Sequence, residues 1–131
     1  MDPKEISKTI VAQLEAGWNN ADGAQFALPF ATQSDFVDIR GTLHPNSPAA
    51  AIGAEHDGIF ASIYKGSRIR YEVAQATPID TNTILAHARA ELDAPVGPLA
   101  GKTNSTITLV LVQQEGDWKI RGFHNTLVFR H

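Results

Sequence analysis

Imidazoles set among apolar side chains mark where this chain could do acid–base chemistry. The segment Trp118-Lys119-Ile120-Arg121-Gly122-Phe123-His124-Asn125-Thr126 follows a turn at Gln114-Glu115-Gly116-Asp117 and reads as a final strand. Strict alternation puts Trp118, Ile120, Gly122 and His124 on one face, with Lys119, Arg121 and Phe123 on the other. An imidazole that ends an apolar stripe is one way for a sheet to place a polar contact in a water-poor pocket. Asn125 and Thr126 beside it either join that contact or simply terminate the strand. His56 lies in a second stripe, Ile52, His56, Ile59, Phe60 and Ile63, at helical spacing. It reads as a core residue or as a ligand contact. Asp38 shares a strand face with Phe36, which sets a carboxylate beside an aromatic ring. His87, Arg89 and Glu91 alternate opposite a row of Ala86, Ala88, Ala90 and Leu92. That polar row is either a solvated or dimer-facing surface or, if a curved sheet encloses it, a binding set for a carboxylate or carbonyl.

Composition removes several other chemistries. Eleven basic against 14 acidic side chains give a formal charge of −3, which invites neither nucleic acid nor an anionic membrane. There are no cysteines, so disulfides, thiolate metal sites and a cysteine nucleophile are excluded. The five histidines show no tight ligand spacing, and no metal site is expected. Gly41, Gly53 and Gly58 stand alone and do not form a phosphate cradle, so no nicotinamide, flavin or other cofactor is expected. There is no long apolar run, and Met1-Asp2-Pro3-Lys4-Glu5 lacks a signal pattern, so a cytoplasmic location is expected by default.

The elements that must position these side chains follow from caps and periodicity. The 131 residues suit one domain, 1–131, with a single core. Asp2, Pro3 and Glu5 form a helix start, and Ile6, Ile10, Leu14 and Trp18 fall four apart along the helix as far as Asn19-Asn20. Asp22 caps a short second helix carrying Phe26 and Phe30 and interrupted near Pro29. A strand over 34–40, ended by Gly41, precedes a third helix predicted to run from a Ser47-Pro48 cap to Gly66. Four strands follow at about 67–77, 82–92, 103–114 and 117–127, with a Pro- and Gly-rich loop over 93–101. The predicted order is ααβαββββ, an α+β layer architecture. Trp18, Phe36 and Phe60 read as pocket wall or core.

This order of elements, the glycine-ended first strand, the third helix and the terminal Trp-x-Ile-x-x-x-His-Asn-Thr resemble the NTF2-like superfamily of cystatin-like folds. Within it the chain looks similar to the SnoaL-like and DUF4440-type branch, including short bacterial proteins labelled oxidoreductases that share a final His-Asn-Thr. The resemblance implies a cone: a curved mixed or mainly antiparallel sheet with three N-terminal helices packed on its concave side. It also implies a homodimer, with a second sheet covering a face that Thr106, Thr108, Val110 and Val112 leave uncovered.

The superfamily includes ketosteroid isomerases, polyketide cyclases and dehydratases alongside noncatalytic association domains. Residues 30–41 align without a gap to the isomerase pattern whose general base stands three residues before the glycine, which is Asp38 here. The isomerase's oxyanion-hole tyrosine would fall near Leu14, which has no proton to donate. His124, with Asn125 adjacent, is the expected substitute donor for an enolate oxygen. The resulting expectation is a pocket enzyme that moves protons on an apolar carbonyl-containing or polycyclic substrate by isomerisation, cyclisation or dehydration. Asp38 and His124 are its catalytic pair, with Asp38 raised toward neutrality by an apolar setting. Trp18, Phe36, His56, Phe60, His87, Arg89, Trp118 and Asn125 are the candidate substrate contacts. The alternative is a noncatalytic small-ligand binder or dimeric association module.

Overall fold

The computed structural model describes residues 1–129. Its elements run α1 (Pro3–Asn19), α2 (Gly23–Ala27), β1 (Phe30–Val37), β2 (Leu43–Pro48), α3 (Ala49–Phe60), β3 (Arg68–Asp80), β4 (Thr83–Ala94), β5 (Gly101–Gln114) and β6 (Asp117–Leu127). Asp2 starts α1 by accepting from the Lys4 and Glu5 amides, and Asp22 starts α2 by accepting from the Gln25 amide. The buried side of α1, with Ile10, Val11, Leu14 and Trp18, belongs to the core and packs its helix on β3. Two glycines let α2 approach its neighbours closely. A Cβ on Gly17 would collide with the Phe26 backbone, and one on Gly23 with the Gly53 carbonyl.

The strands form one curved, unclosed sheet in the order β2-β1-β6-β5-β4-β3. Only β1 and β6 pair in parallel, so the sheet is mixed. Along β4, Ile84, Ala86, Ala88, Ala90 and Leu92 are buried, while His87 is half-buried and Arg89 exposed on the outer face. The enclosed face is thus the small-residue row, which leaves room for helices, and the polar row of His87 and Arg89 points away from them. No helix among the described residues is long and apolar enough to cross a membrane.

Two local readings are corrected. Residues 43–48 form the edge strand β2, which runs straight into α3; two prolines and an absent period-two pattern hide it in the sequence. The Ser47 hydroxyl accordingly donates to the His44 carbonyl, and Pro48 is the α3 N-cap without a side-chain cap bond. α3 ends at Phe60, and turns carry the chain to Gly66.

The second correction sits in β6. Leu111 pairs with Ile120, but Val110 pairs with Gly122, so Arg121 is an extra residue in the strand. This β-bulge shifts the alternation by one. Ile120 and Phe123 are both buried, at 0% and 4% exposure, and His124 is turned out to the opposite face. Two anchors fix the bulge. The Ser34 hydroxyl donates to the Ile120 carbonyl at 2.7 Å, and the Arg121 guanidinium lies 3.7 Å from Asp35 Oδ1.

Candidate functional site

Between the helices and the concave sheet face lies a cavity of about 230 Å³. α1 and α2 contribute Trp18 and Phe26, α3 contributes His56 and Ile59, and the turn after α3 contributes Tyr64. The sheet supplies Phe36, Tyr71, Leu92, Ser105, Phe123 and Asn125, and Asp38 and Arg40 stand in the turn after β1. The wall is mainly aromatic and aliphatic, with a few polar groups placed in it, as in small-molecule sites.

Of the side chains singled out in the sequence, Trp18, Phe36, Asp38, His56 and Asn125 share this cavity. Phe60 is buried behind the wall, its ring 5.0 Å from Trp18 and 6.0 Å from His56. Trp118 is half-buried against the core further along β6. His124, His87 and Arg89 lie on the outer face. There Thr108 separates the two imidazoles, pairing with His87 on one side and His124 on the other. The Arg121 bulge is the reason that Asn125, not His124, follows Phe123 into the cavity.

Asp38 is held by its own turn. Its Oδ1 accepts from the Arg40 amide at 2.9 Å and the Thr42 amide at 3.1 Å, and its Oδ2 lies 3.0 Å from His44 Nε2. Gly41, at φ +86°, supplies the left-handed residue that closes the turn. Partial burial pushes the Asp38 pKa up, but the His44 hydrogen bond and the Thr42 and Arg40 amides outweigh it. The carboxyl is therefore held below its ordinary value, opposite to the shift expected from an apolar setting alone. An ionised carboxylate results, with His44 as its partner in place of His124.

His56 is 7% exposed, and its Nδ1 lies 2.8 Å from the Ile52 carbonyl one turn earlier in α3. A carbonyl accepts only, so Nδ1 carries the proton. Burial pushes this imidazole down to about 4, against smaller opposing effects of the Ile52 carbonyl and Asp57. It is neutral at pH 7.

Tyr71 supplies the phenol that Leu14 cannot. Burial first, and the Glu15 carboxylate second, push its pKa up, so it is a neutral donor in the cavity. Tyr64 is also raised by burial, with Asp38 adding to the rise and Arg40 opposing it. Leu14 is fully buried in the core. The Asn125 carboxamide oxygen is buried with no hydrogen-bond partner. Among the described residues, no three imidazole or carboxylate groups converge as a metal site would require.

His44 and Tyr71 escape the sequence reading although signals for both exist. Tyr71 alternates with Ile69 and Val73, which are both buried on β3. His44 stands opposite Phe36 across the Gly41 turn, close to Asp38.

No family model matches the chain, and no curated protein does. Solved structures do. A domain of unknown function with a cystatin-like fold from Nostoc punctiforme superposes with a TM-score of 0.85 at 22% identity, covering 98% of this chain and 78% of that one. An NTF-2 like protein of unknown function from Shewanella oneidensis gives 0.79 at 12% identity, covering 95% and 99%. A ketosteroid isomerase-like protein from Erwinia carotovora atroseptica gives 0.78 at 7% identity, covering 98% of both. Three helices on the concave side of a curved mixed sheet, shared with these structures over nearly the whole chain, are the NTF2-like form of the cystatin-like fold.

Proposed function

We propose that this protein takes a small, mainly apolar molecule into the cavity and moves a proton on it, with Asp38 as the proton acceptor. The observation that carries the reading is an ionised carboxylate at the mouth of an apolar cavity whose wall also holds a neutral phenol, Tyr71. A carbonyl compound held by the Tyr71 hydroxyl would have its enolate oxygen stabilised while Asp38 accepts the proton from the adjacent carbon. The resemblance to the ketosteroid isomerase pattern at Asp38 supports the same assignment. His124, on the outer face, has no part in this mechanism.

A noncatalytic binder is the second reading, favoured by one observation: both Asp38 oxygens are already occupied by the turn and His44. Deuterium uptake next to the carbonyl, followed by NMR over a panel of conjugated ketones, separates the two. The catalytic reading expects uptake that falls about a hundredfold or more in Asp38→Asn. Binding without uptake leaves the noncatalytic module.

We also propose a homodimer through the outer sheet face, where Leu85, Val110 and Val112 are only half-buried. Sedimentation should give twice the chain mass, and Val110→Lys should return it to one.

A further inference from the structure

We infer that the cavity selects a neutral, hydroxyl-bearing apolar molecule whose hydroxyl group donates to His56 Nε2. This deepens the small-molecule reading above and rests on it, adding the hydrogen-bonding character of the ligand.

The tautomer is fixed by the helix. Nδ1 spends its proton on the Ile52 carbonyl at 2.8 Å, so Nε2 has a lone pair and nothing to donate. The ring has little freedom to turn, because Phe26 stacks on it at 4.1 Å and 24° and Phe36 meets it edge-on at 5.7 Å and 75°. None of the described residues donates to Nε2, although His56 is buried and lines the cavity. Nε2 is not among the fully enclosed unpaired atoms, so it is reached from the cavity, and a molecule that fills the cavity matches it only by bringing a donor. Burial also keeps the imidazole unprotonated at neutral pH, so the acceptor character persists.

The same lone pair rejects other ligands. Ethers, ketones and carboxylates present only acceptors to Nε2. An ammonium would donate, but the Asp38 carboxylate is engaged by its turn and His44, and Arg40 stands beside it in the cavity wall. A hydroxyl on a neutral ring compound matches both the acceptor and the aromatic wall. Tyr71 adds the complementary donor elsewhere in the cavity, suited to a carbonyl on the same molecule.

The test compares 2-naphthol with 2-methoxynaphthalene, which have the same ring system and differ in the donor. Calorimetry on the intact protein should show 2-naphthol binding about tenfold more tightly or better. In protein carrying nitrogen-15 histidine, 2-naphthol should move the His56 Nε2 resonance and 2-methoxynaphthalene should not. His56→Phe keeps an aromatic ring in the cluster and should bind the two probes equally. Equal affinities in the unmodified protein, failure of 2-naphthol to bind, an unmoved Nε2 resonance, or a preference that survives in His56→Phe would each overturn the inference. Should that variant fail to fold, the nitrogen-15 comparison decides alone. Neither probe has a carbonyl. A hydroxyl preference without deuterium uptake on ketones therefore removes only the catalytic reading, and uptake without a hydroxyl preference removes only this inference.

Discussion

His44 Nε2 sits 3.0 Å from Asp38 Oδ2, while His44 Nδ1 lies 4.0 Å from Glu55 Oε1, so one imidazole links the cavity mouth to α3. His44 is thereby a positioning residue, since it holds the carboxylate and does not itself line the cavity. Of the groups that lower the Asp38 pKa, its hydrogen bond is the largest. Replacing it by His44→Ala should raise the Asp38 pKa, because burial then meets less opposition. Carboxyl carbon-13 titration measures this directly, and an unchanged value would remove His44 from the site.

Across the sheet, the buried Ser34 hydroxyl donates to the Ile120 carbonyl just before the bulge. Ser34→Ala leaves that carbonyl without its side-chain donor and should cost about 1–3 kcal/mol in urea unfolding. The Asn125 amide resonances should shift with it, since the bulge sets which face Asn125 occupies.

Glycines in α2 and α3 should respond in opposite directions. Gly23→Ala drives a methyl group into the Gly53 carbonyl and should destabilise by about 1–3 kcal/mol. Gly58, inside α3, has nothing near its absent Cβ, and Gly58→Ala should stabilise by about 0.5–1 kcal/mol. Thermal melting of the two variants is sufficient to read both signs.

Stability should also depend on pH through His56. Its imidazole binds a proton at about 4 when folded, against 6.5 unfolded. Between those values the unfolded chain holds more protons, so stability is full above 6.5 and is lost as pH falls toward 4. The loss approaches about 3 kcal/mol. Asp38, with its lowered pKa, adds a loss of the same sign at lower pH. Urea midpoints across this range should slope in the unmodified protein and flatten between 4 and 6.5 in His56→Phe.

Much of this architecture was legible in residue types. Asp2 and Asp22 mark their helix starts because a short carboxylate caps free amides locally. The turn at Glu115-Gly116 fixes where β6 begins, at Asp117. Trp18, Phe36 and His56 reach one cavity because periodicity placed them on inward faces, whereas Asn125 enters it through the bulge and Asp38 from the turn after β1. What stayed hidden depends on pairing. A bulge at Arg121 has no compositional signature, yet it moves His124 to the opposite face from Ile120. The proline-bearing edge strand β2 and the cross-turn partnership of His44 with Asp38 likewise exist only once strands are aligned.

Strand β6 has one further consequence, for the order of assembly. It is last among the described strands, yet it lies between the β2-β1 hairpin and the β5-β4-β3 meander as the joint of the sheet. Until β6 docks, the part of the wall bearing Phe36 and Asp38 belongs to a marginal two-stranded hairpin, and the part bearing Tyr71 and Ser105 to a separate sheet. Closing that joint brings together residues such as Ser34 and Ile120, 86 positions apart, at a high cost in loop entropy. A complete cavity therefore requires the long-range pairing of β1 with β6.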